Sequence, residues 1–337
     1  MPCSFFNEQQ STSSAATPNC SFMMFELLTD VTLLTTETSS MDEIVTLCKA
    51  EYKGNTIEEG RIAEFQQTYT PETSITWYTR DCFVYRILNK ALRVQNIEVL
   101  LAFRFLIKDI YEQLKKLQQN QHTNLVTVYR GQILPIVDLQ RMHQNNGEII
   151  SIHSFLSTSY DRWQAMGFVL SSPQDHNLAN VLFEIECDQC SSSLPISKPF
   201  AHINEVSFFP SENEVLFTLG SHFRIRSIDY DQERRLHIIK LTFVSETQEI
   251  KNFIQRNTLQ LPSHLALGNL LHQLKEYEKH ETYYKSLLTN LPENESKAMV
   301  YIVAGNGARE QKKFDLALKY LQKALDIHNT MVPRNEK

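Results

Sequence analysis

The sequence predicts an α+β protein with helices ahead of and behind a strand-rich middle, and the prediction depends on where the hydrophobic period changes. Apolar residues recur every three or four positions from Ile97 to Leu117, as expected for one face of a helix. Short β-branched segments replace this period between about residues 125 and 244. After about Thr247 the helical period returns. Because helices and strands are segregated rather than alternating, the pattern favours α+β over α/β.

Three regions follow from this pattern, in agreement with a prior of about two domains for 337 residues. We expect residues 1–38 to form a disordered or poorly ordered tail, because residues 1 to about 22 are rich in Ser, Thr, Asn and Gln and lack an apolar period. Residues 39–250 form the main domain, and residues 255–337 form an all-α region.

The predicted elements of the main domain are approximate at their ends. The helices cover about 41–67, 75–92 and 96–117. The strands cover about 125–130, 148–155, 180–186, 214–219, 222–228 and 235–244. We expect the fourth and fifth strands to form a hairpin around Gly220 and Ser221.

Composition narrows the classes of partner. Hydrophobic residues make up 42% and the net charge is −6, so the chain can build ordinary cores and has no general attraction to nucleic acid. No run approaches the roughly 18 apolar residues of a membrane helix, and no signal peptide is evident. The six scattered cysteines are typical of reduced thiols, so we expect a cytoplasmic protein. Cys187 and Cys190 have a CxxC spacing, but no second pair completes a metal site, and no metal is expected.

An internal repeat in the all-α region predicts paired helices. Gly268 is followed by Tyr277 and Gly305 by Phe314, nine residues later in both copies, with 37 residues from one glycine to the other. This offset is close to the length of a tetratricopeptide unit, about 34 residues. The first copy departs from that pattern at His280, where a small residue is expected. Two ordinary helical hairpins are the alternative; in either case the helices could pack on the β region or bind a protein partner.

Two short motifs place polar residues after predicted strands. Arg130 and Gly131 follow the first strand; a guanidinium fits a phosphate, and glycine leaves room for a ligand beside the backbone. Ser157, Thr158 and Ser159 follow the second strand, where hydroxyls can position other groups by hydrogen bonds. Taken singly, an arginine at a strand end is usually part of a surface salt bridge, and three such hydroxyls more often form a turn or a helix N-cap.

A third motif places two carboxylates in front of an apolar run. Glu212 and Glu214 lie two residues apart, so an extended chain would point both to one face, beside Leu216. Val215 and Phe217 would then point into a core. Two like charges side by side repel, which indicates a functional reason for the pair. A solvated strand edge is the alternative.

In chain order, the motifs Tyr-Arg-Gly, Phe-x-Ser-Thr-Ser and Phe-Pro-x-Glu-x-Glu-Val resemble those of the arginine-specific mono-ADP-ribosyltransferases, which are relatives of bacterial ADP-ribosylating toxins. The resemblance covers about residues 40–250. It implies a split, strongly bent β-sandwich with helices in front and NAD, the co-substrate, in the cleft.

The resemblance also implies which residues meet NAD. Arg130 matches the arginine that holds NAD through its phosphate and ribose side, and Gly131 matches the residue whose backbone meets the nicotinamide amide. Thr158 belongs to the same cofactor-contacting set. Phe168, eleven residues after Ser157, is a candidate for the ring that stacks on nicotinamide; a plain core position is the alternative.

The catalytic residues implied by the resemblance are Arg130, Ser157, Glu212 and Glu214. Ser157 matches the serine that orients the catalytic glutamate, and Glu214 matches that glutamate. Glu212 matches the upstream residue that marks arginine as the acceptor. These assignments predict an NAD(P)-dependent protein-arginine ADP-ribosyltransferase that acts on an arginine-bearing target protein. The alternatives are an NAD glycohydrolase, with water as acceptor, and a tetratricopeptide adaptor whose NAD site is inactive.

Overall fold

The structure has helices at both ends of the chain and strands in its middle, which confirms the predicted α+β class. The computed structural model describes residues 3–6, 18–34, 41–121, 126–171, 176–187, 198–245, 248–258, 261–289 and 297–331. The helices ahead of the sheet are α1 (Pro18–Leu34), α2 (Met41–Glu51), α3 (Thr56–Thr68), α4 (Ser74–Thr79), α5 (Phe83–Val94), α6 (Ile97–Ala102) and α7 (Arg104–Asn120).

Each long helix predicted from the sequence is divided into two. Between α2 and α3, Gly54 has a φ of 87° and the Asn55 side chain accepts a hydrogen bond from the backbone N–H of Glu58, which starts a new helix. Between α6 and α7, Phe103 leaves helical geometry with a ψ of 2°. These breaks let successive short helices change direction while they keep their apolar faces on one core.

The strands form a mixed sheet. They are β1 (Cys3–Phe6), β2 (Val126–Pro135), β3 (Ile149–Ile152), β4 (Leu156–Ser159), β5 (Leu178–Cys187), β6 (Phe200–His202), β7 (Glu214–Phe217), β8 (Ser221–Asp231) and β9 (Leu236–Val244). Among the described residues their order is β1-β3-β8-β9-β5-β2-β4-β7-β6, and β5–β9 is the parallel pair. Two helices lie between strands, α8 (Ile136–Gln144) and α9 (Arg162–Leu170).

The sheet has a narrow junction between β2 and β4, which pair through Tyr129 and Ser159. The β4-β7-β6 part folds onto the rest of the sheet across an apolar core. Aromatic rings fill this core: the Phe217 ring lies 5.4 Å from that of Phe223, and the Phe200 ring lies 5.0 Å from that of Phe243. These ring contacts join side chains of β6 and β7 to side chains of β8 and β9.

The predicted hairpin between the strands now called β7 and β8 is wrong. β7 pairs with β4 and β6, whereas β8 pairs with β3 and β9. Gly220 lies in the connection with a φ of 66°, and its N–H donates to the carbonyl of Ile152 at 3.0 Å. The chain therefore crosses from one part of the sheet to the other instead of turning back.

The N-terminal region contradicts the disordered tail predicted over residues 1–38. β1 pairs with β3, and α1 is buried along most of its length. Apolar residues lie on all sides of α1: the consecutive residues Phe22, Met23 and Met24 point about 100° apart around the helix axis, and all three are buried. The helix therefore shows no amphipathic period. The other residues of the predicted tail, 1–2, 7–17 and 35–38, lie outside the described residues.

A buried ionic cluster fastens α1 to the sheet. The Glu26 carboxylate accepts hydrogen bonds from the Lys198 Nζ at 3.0 Å, the His222 Nε2 at 2.9 Å and the Ser151 Oγ at 3.0 Å. Burial alone would raise the pKa of Glu26, but Lys198 and His222 outweigh it and hold that pKa well below its usual value. Glu26 is therefore a charged link between α1 and strands β3 and β8.

The helices after the sheet are α10 (Gln248–Asn257), α11 (Ser263–Gln273), α12 (Tyr277–Thr289), α13 (Lys297–Glu310) and α14 (Phe314–Met331). The α11–α12 and α13–α14 hairpins share their geometry. A Cβ added to Gly268 would lie 2.0 Å from the Tyr284 hydroxyl, and one added to Gly305 would lie 2.9 Å from Leu321, sixteen residues later in both cases. The glycines allow the close helix packing that the repeat predicted.

The α11–α12 hairpin packs on the lead-in helices. α11 contacts α1, α12 contacts α6, and their apolar residues belong to the same core cluster as the front of the protein. The Ser263 hydroxyl also donates to Asp30 of α1 at 3.3 Å. The apolar core of the lead-in helices therefore continues into the α11–α12 hairpin. Among the described helices, none is both long and apolar enough to cross a lipid bilayer.

Candidate active site

Three strands at the sheet junction bring together Arg130, Ser157 and Glu214. Arg130 lies within β2, and the prediction that it ends a strand is wrong because β2 continues to Pro135. Its Nη1 donates to the Ser157 carbonyl at 2.7 Å, and its Nε donates to the Gln132 side chain at 3.1 Å. These two bonds hold the guanidinium at the β2–β4 junction.

Glu214 is the first residue of β7 and is 7% exposed. It lies opposite Ser159 in the β4–β7 register, and its N–H donates to the Asn204 side chain at 3.0 Å. Ser157 is two residues before Ser159, so it shares a face of the sheet with Glu214. Val215 and Phe217 pack into the apolar core on the other face, as predicted.

The environment of Glu214 favours its neutral form. Burial is the main cause and raises the pKa of the Glu214 carboxyl. A hydrogen bond from the Ser157 side chain lowers that pKa, the negative charge of Glu212 raises it, and the positive charge of Arg130 lowers it; the net direction is upward. Ser157 and Arg130 are therefore the groups that favour the carboxylate of Glu214.

Glu212 does not share a strand face with Glu214, so that prediction is wrong. Residues Pro210–Glu212 form a short 3-10 turn, and Asn213 has a left-handed φ of 48° before β7 begins. Side chains alternate between two faces only in extended backbone, and the left-handed backbone of Asn213 is not extended. Glu212 is exposed and Glu214 is buried, so the two carboxylates have different surroundings and can serve different reactants.

The three hydroxyls of the Ser-Thr-Ser motif have different partners. The Thr158 side chain is buried and donates to the Val215 carbonyl at 2.8 Å, which fastens β4 to β7 on the face opposite Ser157. The Ser159 hydroxyl donates to Gln164 at 3.0 Å and accepts from the backbone of Asp161 at 3.0 Å. Ser157 is the member of the motif whose side chain bonds Glu214.

Gly131 is required by a neighbouring helix. A Cβ at this position would lie 1.9 Å from the Ala165 carbonyl oxygen, because α9 packs directly over β2. Packing of α9 on β2 therefore explains why this position is a glycine. Phe168 projects from α9 and is 67% exposed, so the alternative of a plain core residue is wrong.

Sequence reasoning missed a polar aromatic group in front of Arg130. The Tyr78 ring of α4 lies 5.7 Å from Tyr85 of α5 and 4.8 Å from Phe155, and Asn89 donates to the Tyr78 hydroxyl at 3.3 Å. Burial is the main cause and lowers the pKa of Arg130, while the nearby Tyr85, Tyr78 and Glu214 oppose this shift. The lead-in sequence held no signal for this group, because Arg130 and Phe155 are distant from Tyr78 in the chain.

The described residues hold no cluster of three or more His, Cys, Asp or Glu side chains placed to bind a metal ion. Cys190 of the CxxC spacing lies outside the described residues.

Comparisons with known proteins bear on the same part of the chain. Residues 54–246 match the family described as ADP-ribosyltransferase exoenzyme. No curated protein matches the chain significantly. Among solved structures, the chain is similar to the Vis toxin, an ADP-ribosyltransferase from Vibrio splendidus, with 22% identity over 66% of this chain and 94% of that chain and a TM-score of 0.41. It is also similar to an ADP-ribosyltransferase toxin from Paenibacillus larvae, with 18% identity over 58% of this chain and 97% of that chain and a TM-score of 0.40. An ADP-ribosyltransferase from Clostridium botulinum gives 16% identity over 62% of this chain and 98% of that chain and a TM-score of 0.38.

Proposed function

We propose that this chain, which belongs to the ADP-ribosyltransferase exoenzyme family, transfers ADP-ribose from NAD to arginine side chains of target proteins and releases nicotinamide. NAD is the co-substrate of the family. One observation carries the arginine assignment: a buried Glu214 beside Ser157 and Arg130, preceded two residues earlier by an exposed Glu212.

The buried residues suit the NAD half of the reaction. Arg130 offers a fixed cation to the phosphate and ribose side of NAD, and the backbone of Gly131 and the ring of Phe168 are proposed to meet nicotinamide. Cleavage of the nicotinamide–ribose bond builds positive charge on the sugar. The desolvated Glu214 carboxylate, oriented by Ser157, stabilises that charge as it forms.

The exposed carboxylate suits the acceptor half. A guanidinium has a pKa above about 12, so it is a poor nucleophile until a base takes its proton. Glu212 is reachable from solvent, where a protein-borne arginine arrives, and can orient the guanidinium and accept that proton as the new nitrogen–ribose bond forms. Transfer then needs both carboxylates, whereas NAD cleavage needs Glu214.

The finer features of the fold are proposed on structural grounds. The single-pair junction at Tyr129 and the facing aromatic rings support a split, bent β-sandwich. The matching contacts of Gly268 and Gly305 support tetratricopeptide-like repeats, which we propose contribute to recognition of a protein partner. The boundaries 39–250 and 255–337 and a cytoplasmic location stay predictions from the sequence.

The experiment compares Glu214→Gln with Glu205→Gln, a matched control because Glu205 is an exposed carboxylate that precedes the same strand. Nicotinamide release from NAD is measured for each purified protein. Loss of a group that stabilises the transition state typically costs about 100- to 1000-fold, so we expect that fall for Glu214→Gln and no change for Glu205→Gln. Near-parental release by Glu214→Gln would refute the site.

The same preparation separates the alternative functions. Labelled NAD is added with an arginine analogue such as agmatine, and modified analogue and free ADP-ribose are counted. Modified analogue supports the transferase. Free ADP-ribose alone indicates an NAD glycohydrolase, and absence of NAD binding by calorimetry indicates an adaptor with an inactive site.

A further inference from the structure

The loop of residues 203–213, which carries Glu212, is closed at its base and built from two turns. At the base, the Ile203 N–H donates to the Glu214 carbonyl at 3.0 Å, and Asn204 bonds both Asn213 and Glu214. The first turn is closed by the Ser207 N–H on the Ile203 carbonyl at 2.7 Å. The second turn is closed by the Glu212 N–H, which donates to the Phe209 carbonyl at 3.2 Å. Glu212 therefore lies in the second turn, between the first turn on one side and the base of the loop at Asn213 on the other.

Helix α4 holds that first turn. The Thr76 hydroxyl donates to the Val206 carbonyl at 2.7 Å, and the Thr79 hydroxyl accepts from the Phe208 N–H at 2.9 Å. These bonds fix the backbone up to Phe208. They leave the orientation of the Phe208 ring, which is partly exposed, to be set by side-chain contacts.

Arg80, the residue that ends α4, supplies such a contact. Its guanidinium lies over the Phe208 ring, 5.4 Å from the centroid, and over the Trp77 ring, 5.0 Å from the centroid. Trp77 is buried against the core, and Glu64 fixes the guanidinium by an ion pair of 2.8 Å. The Arg80 side chain is 21% exposed, so its interaction with the rings is partly desolvated and stronger than at an open surface. The Phe208 ring in turn meets the Phe209 ring edge-on, with centroids 5.1 Å apart.

We propose that Arg80 is a positioning residue for the transfer step: it holds Phe208 and thereby aims Glu212 at the guanidino group of the acceptor. The inference rests on the proposed function. Arg80 acts on a loop that carries Glu212 but not on Arg130 or Ser157, which lie on other strands. Its loss therefore lowers transfer without an equal loss of NAD cleavage, and it sets how much of the cleaved ADP-ribose reaches a guanidino acceptor rather than water.

The test is the ratio of agmatine modification to free ADP-ribose formation at saturating NAD. Arg80→Met keeps an aliphatic side chain over the rings but removes the cation. Misplacement of a reacting group by about 1 Å can cost as much as 100-fold, so we expect the ratio to fall about tenfold or more. Arg80→Lys restores a cation and should recover part of the ratio. Arg234→Met is the matched control, because Arg234 also forms an exposed ion pair, at 2.9 Å with Asp231, on a distant turn.

A double-mutant cycle with Phe208→Leu shows whether the effect passes through the ring. If it does, Phe208→Leu lowers the ratio in the parent but changes it little in Arg80→Met, because the two changes break one contact. Additive effects would overturn the inference. So would a parallel fall of nicotinamide release and transfer in Arg80→Met, since that indicates a general structural defect.

The proposed function and this inference fail in different ways. A parent protein that only hydrolyses NAD refutes arginine transfer and the inference with it. A parent that modifies agmatine, together with an Arg80→Met variant that keeps the parental ratio, refutes the inference alone.

Discussion

The substitution Glu212→Gln tests whether the two carboxylates serve different reactants. Glu212 is exposed in a short turn, and the amide has nearly the same shape, so we expect stability to change by less than about 0.5 kcal/mol. The amide cannot take a proton from a guanidinium. Loss of general-base assistance costs about 100-fold or more, and transfer to agmatine should fall by that amount.

At acidic pH, the same substitution should increase the rate of NAD cleavage instead of lowering it. The negative charge of Glu212 raises the pKa of Glu214, so its removal lowers that pKa. Glu214 must be ionised to stabilise the ribose cation, and it would remain ionised to lower pH in Glu212→Gln. We therefore expect nicotinamide release near the parental rate at neutral pH, with the acid limb of its pH profile moved to lower pH.

The assay measures nicotinamide release and agmatine modification on one preparation across acidic and neutral pH, with Glu205→Gln as the control for loss of a nearby charge. If release and modification fall together at neutral pH, Glu212 acts on NAD or on the loop shape, and arginine specificity loses its main support. If neither falls, the site has been placed on the wrong pair of carboxylates. An acid limb that moves to higher pH would refute the electrostatic argument.

Two further predictions concern the fold. Glu26→Gln should lower the free energy of unfolding in urea by about 3–5 kcal/mol at neutral pH, because it removes the carboxylate charge that faces the buried Lys198. In the parent, the folded state holds the pKa of Glu26 below the usual 4.5. The stability that this pair contributes is therefore present at neutral pH and is lost as the pH falls below 4.5. Equal stability of parent and variant would contradict the buried ion pair. Gly268→Ala should destabilise by roughly 1–3 kcal/mol, and by more than Gly305→Ala. The added Cβ would lie 2.0 Å from the hydroxyl and 2.3 Å from the ring of the buried Tyr284 in one case, and 2.9 Å from Leu321 in the other. Equal losses in the two unfolding curves would show that the repeated contacts are not the ones described.

Those residues of the candidate site that lie in short sequence motifs were predictable from the sequence. Arg130, Ser157 and Glu214 lie in three motifs whose order along the chain resembles one family, and the structure brings these residues together. The position of Glu212 was not predictable from alternation, because the left-handed Asn213 interrupts the strand. Arg80 carries no local signal, since its contacts with Phe208 join segments more than a hundred residues apart.

The sequence by itself determined the α+β class and most of the strands, because periodicity of two or of 3.6 residues is a local property that survives in any arrangement of the elements. It also determined the glycine spacing of the repeated hairpins. Only the tertiary structure decided which strands pair, where long helices break and that α1 is buried on all sides. Strand pairing and all-round burial depend on apolar surface from distant segments. The burial of α1 could not be predicted from its own sequence, because the elements that surround it, β3, β8 and α11, are far from it in the chain. The backbone of the loop ahead of Glu212 belongs to the same class, because α4 holds it at Val206 and Phe208 through contacts that no periodicity records.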